Sequence, residues 1–256
     1  MISWLGDLSI FHYLFLMVII AFAGLVHGTM GIGFPMVATP LIAVFMDVRL
    51  AILLTLLPTA TVNLASIWGA TNYKKILRDY RWLFSSVWIG AIGGSYLLVV
   101  FDPAPFRLAL AVLIMVFLVT TMSNRLSLSG IRSENFPVML VFGLAAGVSG
   151  GTTNVMVAVL IIYLLGIGLK RLEMIPILNT CFLIGKSAQI EVLTMEGFIN
   201  STLIYQTIPL SGMALVSLLY GKKIGEKISV EGYRIMLYVL LLVLACTLSI
   251  QFFSEM

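Results

Sequence analysis

Ten apolar runs fill this chain almost from end to end, with only short intervals between them. They cover residues 10–27, 34–46, 49–71, 82–101, 104–122, 136–149, 152–166, 174–194, 200–220 and 233–253. A bilayer core about 30 Å thick is crossed by about 20 apolar residues in helical form. The runs at 34–46, 136–149 and 152–166 are too short to cross comfortably, and the others suffice. In hydrocarbon every backbone N–H and C=O must be satisfied within the chain, so the spans are helices. The sequence predicts an all-α polytopic helical membrane protein, a single transmembrane domain over 1–256.

Composition agrees with the runs. Hydrophobic residues make up 61% of the chain and charged residues 10%, against about 45–50% and about 25% in soluble domains. That excludes a soluble enzyme, a disordered tail and a nucleic-acid-binding domain. Cys181 and Cys246 both lie inside apolar runs, which excludes a disulfide framework and a zinc cluster. No cofactor is implied. Residues 1–9 carry Asp7 and no Lys or Arg, so the first run reads as a retained membrane segment and not a cleaved signal. Trp4, Trp68 and Trp82 fall near run ends, as interfacial aromatics do, and Trp88 lies inside a run.

The basic residues set an orientation. Lys74, Lys75, Arg78 and Arg81 follow the third run, Arg125 and Arg132 the fifth, Lys170 and Arg171 the seventh, and Lys222, Lys223, Lys227 and Arg234 the ninth. If the runs at 10–27 and 34–46, and those at 136–149 and 152–166, each go in and come back, all four basic loops share one side. The positive-inside rule makes that side the cytoplasm and puts both termini outside. If each pair crosses once, the loops split evenly. The rule favours hairpins.

An internal repeat follows. Gly24 matches Gly147 and Gly28-Thr29 matches Gly151-Thr152, both at an offset of 123, and Thr59 matches Thr180 at 121. Two halves, about 1–125 and 133–256, each hold five segments: a broken or re-entrant hairpin followed by three spans. An odd number inverts the second half, the plan of secondary transporters with a site at the midplane.

The two breaks carry letters of their own. The first reads Gly24-Leu-Val-His27-Gly28-Thr-Met-Gly31-Ile-Gly33-Phe34-Pro35, continuing through Pro40-Leu41, and the second reads Gly147-Val-Ser149-Gly150-Gly151-Thr-Thr-Asn154, with Tyr163-Leu-Leu-Gly166 beyond. With Asn179-Thr-Cys-Phe182-Leu-Ile-Gly185-Lys186-Ser-Ala-Gln189, they resemble the TauE/SafE family, the sulfite exporters of bacterial membranes. The resemblance covers most of the chain. It implies transport of sulfite, sulfonates or related small organic anions across the inner membrane. Thr152-Thr153-Asn154 departs from the Gly-x-Gly of the first break, which makes the half-sites chemically unequal.

The chemistry follows from helix ends and buried polar groups. Helix N-termini present unpaired N–H groups and about +0.5 of a charge each, and glycine lets a ligand approach the backbone. Pro35 suits the first turn of one short helix, and Thr152 or Thr153 the N-cap of the other. Glycine clusters also serve close helix packing. Lys186 lies near the centre of its run, where a lysine costs about 2.5–3.5 kcal/mol and needs a partner. Asn179 and Gln189 share its face, while Glu191 points about 140° away. Thr55, Thr59, Asn63 and Ser66 form one polar stripe on the third run. His27 borders the first break and either couples proton movement or sits neutral, donating to a freed carbonyl.

The expected substrate-binding set is Gly28, Thr29, Gly31, Gly33, Thr59, Asn63, Gly150, Gly151, Thr152, Thr153, Asn154, Asn179, Lys186 and Gln189, with His27 for proton coupling and no metal ligand. The partners are a small anion, the lipid bilayer and a proton or sodium coupling ion, with no nucleic acid. The letters fix no oligomeric state. Two rival readings use the same residues. One is an anion channel. The other is an intramembrane serine hydrolase using Ser149 of Gly147-Val148-Ser149-Gly150 with a histidine base.

Overall fold

The computed structural model describes residues 10–68, 70–122, 135–225 and 230–254. Trp4, Asp7, Arg125, Arg132 and Lys227 lie outside the described residues. Among those described, the chain forms helices and no strands. They are α1 (Ile10–Met30), α2 (Phe34–Ala43), α3 (Val48–Ile67), α4 (Tyr73–Asp79), α5 (Arg81–Val100), α6 (Ala104–Met122), α7 (Phe136–Thr153), α8 (Val157–Gly166), α9 (Arg171–Met195), α10 (Ser201–Gly225) and α11 (Val230–Ser254). Seven are long and apolar enough to cross a membrane: α1, α3, α5, α6, α7, α10 and α11. With 25 residues, α9 has the length for a span; its asparagine, glutamine, lysine and glutamates keep it out of that set. The ten-residue helices α2 and α8 reach only about 15 Å.

Both breaks are shorter than expected. Helix α1 runs through Gly28-Thr29 to Met30, and α7 runs through Gly150-Gly151 to Thr153. The sixth run is therefore an 18-residue helix, long enough to cross. The chain leaves each helix at a left-handed residue, Gly31 (φ 79°) and Asn154 (φ 68°). Their N–H groups donate back four residues, Gly31 to His27 O at 2.7 Å and Asn154 to Gly150 O at 3.0 Å. This closes the helix end without a further turn. Pro35 sits in the first turn of α2 as expected. Thr152 and Thr153 do not cap α8. Their hydroxyls donate to Val148 O (2.9 Å) and Ser149 O (2.7 Å) of their own helix, and the residue before α8 is Met156.

The halves keep one register through the breaks. The ends of α1 and α7, both limits of α2 and α8, and the starts of α3 and α9 are each offset by 123 residues. In that register Thr59 matches Phe182 and not Thr180, while Asn63 matches Lys186 and Ser66 matches Gln189.

Glycines set the closest packing. Helices α1 and α10 run side by side in the same direction, Gly24 against Ala214 and Ser217, Gly28 against Leu218 and Gly221. Helices α5 and α7 do likewise, Gly147 against Val87 and Gly90, Gly151 against Ala91 and Ser95. Here a Cβ would strike backbone, so only glycine permits the approach. Helices α3 and α9 pack together at the centre, and α6 packs on α11.

The ends of the bundle differ in charge. Lys222 Nζ donates to Ala65 O at 3.3 Å and Arg171 to Met30 O at 3.1 Å. The ends of α1, α3 and α10 and the start of α9 thus meet, and the described basic loops lie together there. At the other end Arg49 donates to Phe101 O at 2.7 Å, Gln251 to Val44 O at 3.0 Å and Tyr13 to Gln206 O at 2.8 Å. So α1 and α2 go toward the basic end and return, the hairpin that the charge pattern favours. Outward faces are apolar, with Phe11, Val18, Ile208, Val239 and Ile250 exposed, a surface suited to lipid. Trp68 is exposed at the end of α3, Trp82 packs edge-on against Phe136, and Trp88 faces outward from mid-α5.

Candidate functional site

Helix α9 carries the polar centre. Its middle residue is 183, with Asn179 about 6 Å to one side and Lys186 about 4.5 Å to the other at 1.5 Å per residue. Each reaches a different break. Asn179 Nδ2 donates to Gly31 O at 2.9 Å and to Ile175 O at 2.8 Å. Lys186 Nζ donates to Asn154 Oδ1 and to Gln189 Oε1. Asn179 and Lys186 share a face, as expected, but they serve opposite ends of one seam.

At the second break the network is continuous. Gln189 Nε2 donates to Gly151 O at 2.9 Å. Asn154 Nδ2 donates to Thr39 Oγ1 at 2.9 Å and to Thr55 Oγ1 at 3.0 Å, and Thr55 passes its own proton to Ala51 O at 2.7 Å. Asn154 thus ties α2, α3 and α9 together from the left-handed position. Every member is buried, Lys186 at 2% exposure. Its ammonium meets only neutral amide oxygens. No Asp or Glu is among its bonded partners; Arg78 and Asp79 pair on the surface at 3.3 Å, and Glu191 is exposed. Burying a charge without a counter-charge is costly, and amide oxygens only partly offset that cost.

At the first break His27 stands where a cap belongs. Its Nδ1 accepts the Phe34 N–H at 3.2 Å, and its Nε2 lies 3.0 Å from Ser66 Oγ. With Nδ1 an acceptor, the ring is neutral and Nε2 carries the proton toward Ser66. Gly33 at the helix start has no side chain to cap with, and His27 supplies the missing acceptor. The imidazole is neutral, but it caps an N–H and does not donate to a freed carbonyl.

Ser149 Oγ donates to Ala146 O at 2.9 Å. With both nitrogens of His27 engaged elsewhere, the Ser149–His27 contact that a hydrolase requires is not formed.

The remaining expected residues divide. Gly28 and Gly151 are filled on their open side by the backbones of α10 and α5. Gly150 lies against Met156, Gly31 against Ile175 and Gly33 near Val26. Thr29 Oγ1 donates to Val26 O at 2.9 Å. Thr59 and Asn63 are fully buried on α3, between Thr55 at the second break and Ser66 at the first. Thr39 was not foreseen. It sits alone in an apolar helix between two prolines, and no periodicity marks it. Met156, wedged between Gly150 and Gly185, was also missed, and Gly185 beside Lys186 was its only trace.

This architecture is that of a multi-pass helical membrane protein with a polar seam enclosed by apolar helices. The family model described as "Sulfite exporter TauE/SafE" matches residues 16–248. The chain belongs to that family, one of membrane sulfite and anion exporters, and its helices fit a transporter. Neither the curated proteins nor the solved structures give a significant match.

Proposed function

We propose that this chain is a secondary transporter of the bacterial inner membrane that exports a small oxyanion, sulfite or a sulfonate or related organic anion. The observation that carries this reading is Lys186, an enclosed ammonium held by neutral amide oxygens. An oxyanion completes its charge balance. Helix α8 begins three residues after Asn154 and adds the positive end of its dipole nearby. Asn154 and Gln189 hold the ammonium, and Thr39 and Thr55 hold Asn154. The halves are read as inverted repeats: they share one register, α3 and α9 run in opposite directions, and α1 on α10 mirrors α7 on α5. Rocking of such halves gives alternating access. The basic end is the cytoplasmic one and both termini lie outside.

The test is sulfite efflux from loaded proteoliposomes. Two unit charges about 4 Å apart at an effective dielectric of about 20 attract by about 4 kcal/mol, roughly 10³-fold in affinity. Lys186→Gln is expected to lose two to three orders of magnitude in efflux, and Lys186→Arg to keep more. Wild-type efflux of sulfite and of simple organic anions by the glutamine variant overturns the reading.

A further inference from the structure

The first break has no lysine, and it has unsatisfied oxygens where the second has one. Thr59 Oγ1, Asn63 Oδ1 and Asn179 Oδ1 are buried without a hydrogen bond, on residues with no solvent exposure. Neither amide can be turned to relieve this. Asn63 Nδ2 donates to Thr59 O at 2.7 Å, and Asn179 Nδ2 donates to two carbonyls, Gly31 O and Ile175 O. Flipping either would set oxygen against oxygen. Both residues therefore present an acceptor that cannot become a donor, and a buried acceptor left unmet is destabilising.

Asn63 reaches back over Thr59 on α3, and Asn179 faces the first break from α9. Thr55, Thr59, Asn63 and Ser66 form one stripe, held at one end by Asn154 and at the other by His27. Thr59 and Asn63 thus lie between the breaks, on the α3 wall of the α3–α9 seam. Asn179 stands on the α9 wall at Gly31.

The shared register supplies a second argument. At 123 residues, Asn63 occupies the position of Lys186, and Ser66 that of Gln189. Ser66 reaches His27 in the first break much as Gln189 reaches Gly151 in the second. One half carries a tethered cation at this position and the other a bare oxygen.

We propose that Thr59, Asn63 and Asn179 form a binding site for a free monovalent cation, sodium in its chemistry, which stands in the first half where the Lys186 ammonium stands in the second. Neutral oxygens suit a hard, singly charged ion. Among the described residues no three His, Cys, Asp or Glu side chains come together, so the carboxylates that a divalent ion takes are not gathered here. Unwound backbone and helix carboxyl ends hold coupling sodium in transporters of inverted-repeat plan. The site rests on the orphan oxygens and the register alone; its role in driving anion export rests on the transport reading above.

The experiment is binding of ²²Na⁺ to purified protein in choline chloride buffer, with melting temperature measured on every variant. Expected is saturable binding displaced by unlabelled sodium, weakened at least tenfold by Thr59→Val and by Asn63→Leu. Both changes remove an orphan polar atom and leave melting unchanged or higher. Should the leucine variant melt lower, the near-isosteric Thr59→Val decides alone. Lys186→Gln keeps sodium binding while losing sulfite binding, which separates the two sites. Absence of saturable ²²Na⁺ binding overturns the proposal even where sulfite still binds, and so does binding that Thr59→Val leaves unchanged.

Discussion

Replacing Gly28 with alanine separates a packing role from a ligand role. A methyl built on Gly28 would lie 2.2 Å from Leu218 O and 2.8 Å from both Gly221 Cα and Lys222 N. A carbon rests no closer than about 3.3 Å to a carbonyl oxygen, so α1 and α10 must part by about 1 Å. The atoms struck are backbone and cannot swing away. A gap of about 0.5–1 Å forfeits about a quarter to a half of each dispersion contact it opens. Overpacking of this kind costs about 1–3 kcal/mol, against which alanine returns at most about 1 kcal/mol of helix propensity. At Gly93 a methyl meets nothing within 4 Å, so Gly93→Ala keeps the propensity gain alone. The propensity gain is common to both, so the two variants should differ by the overpacking cost, about 1–3 kcal/mol, with Gly28→Ala the less stable. The assay is reversible unfolding in mixed detergent micelles, with sulfite affinity measured on the folded fraction. A Gly28→Ala protein as stable as Gly93→Ala, but with weakened sulfite binding, would refute the packing argument and restore Gly28 to the ligand.

Two further outcomes follow from the same geometry. Asn154→Gly keeps the left-handed backbone and removes the side chain that joins Thr39, Thr55 and Lys186; Asn154→Ala adds about 1–2 kcal/mol of left-handed strain. Both should lose efflux and the alanine variant should melt lower, so equal melting temperatures would contradict the strain. Lys75→Cys and Lys222→Cys, at the basic end, should react with a membrane-impermeant maleimide only after cells are opened, and Asp102→Cys, at the far end, in intact cells. Labelling of all three from one side would contradict the orientation.

Much of the fold was legible because membrane helices announce themselves by local chemistry. Ten apolar runs became ten helices, and the 123-residue register was already visible in Gly24, Gly28 and their partners. The breaks were misjudged where glycine and threonine looked like helix breakers. In Gly28 and Gly151 the absent side chain serves a neighbouring helix, and in Thr152 and Thr153 the hydroxyl bonds back to its own. Neither use can be told from a loop without the partner helix in view. Lys186 was conspicuous because a lone lysine in an apolar run needs a partner wherever it is found. Its partner Asn154 lies 32 residues away, a separation that no helical period records.

The letters alone determined that this chain spans a membrane as helices and that Lys186 needs company. Hydropathy, period and the cost of a charge in hydrocarbon are properties of short stretches, and short stretches can be read singly. The tertiary structure decided which polar groups meet. It placed His27 on Phe34 and not on Ser149, sent Asn179 to one break and Lys186 to the other, and left the oxygens of Thr59 and Asn63 without donors. Satisfaction of a buried polar atom depends on whatever the packed helices bring beside it, and that is settled only when the bundle closes.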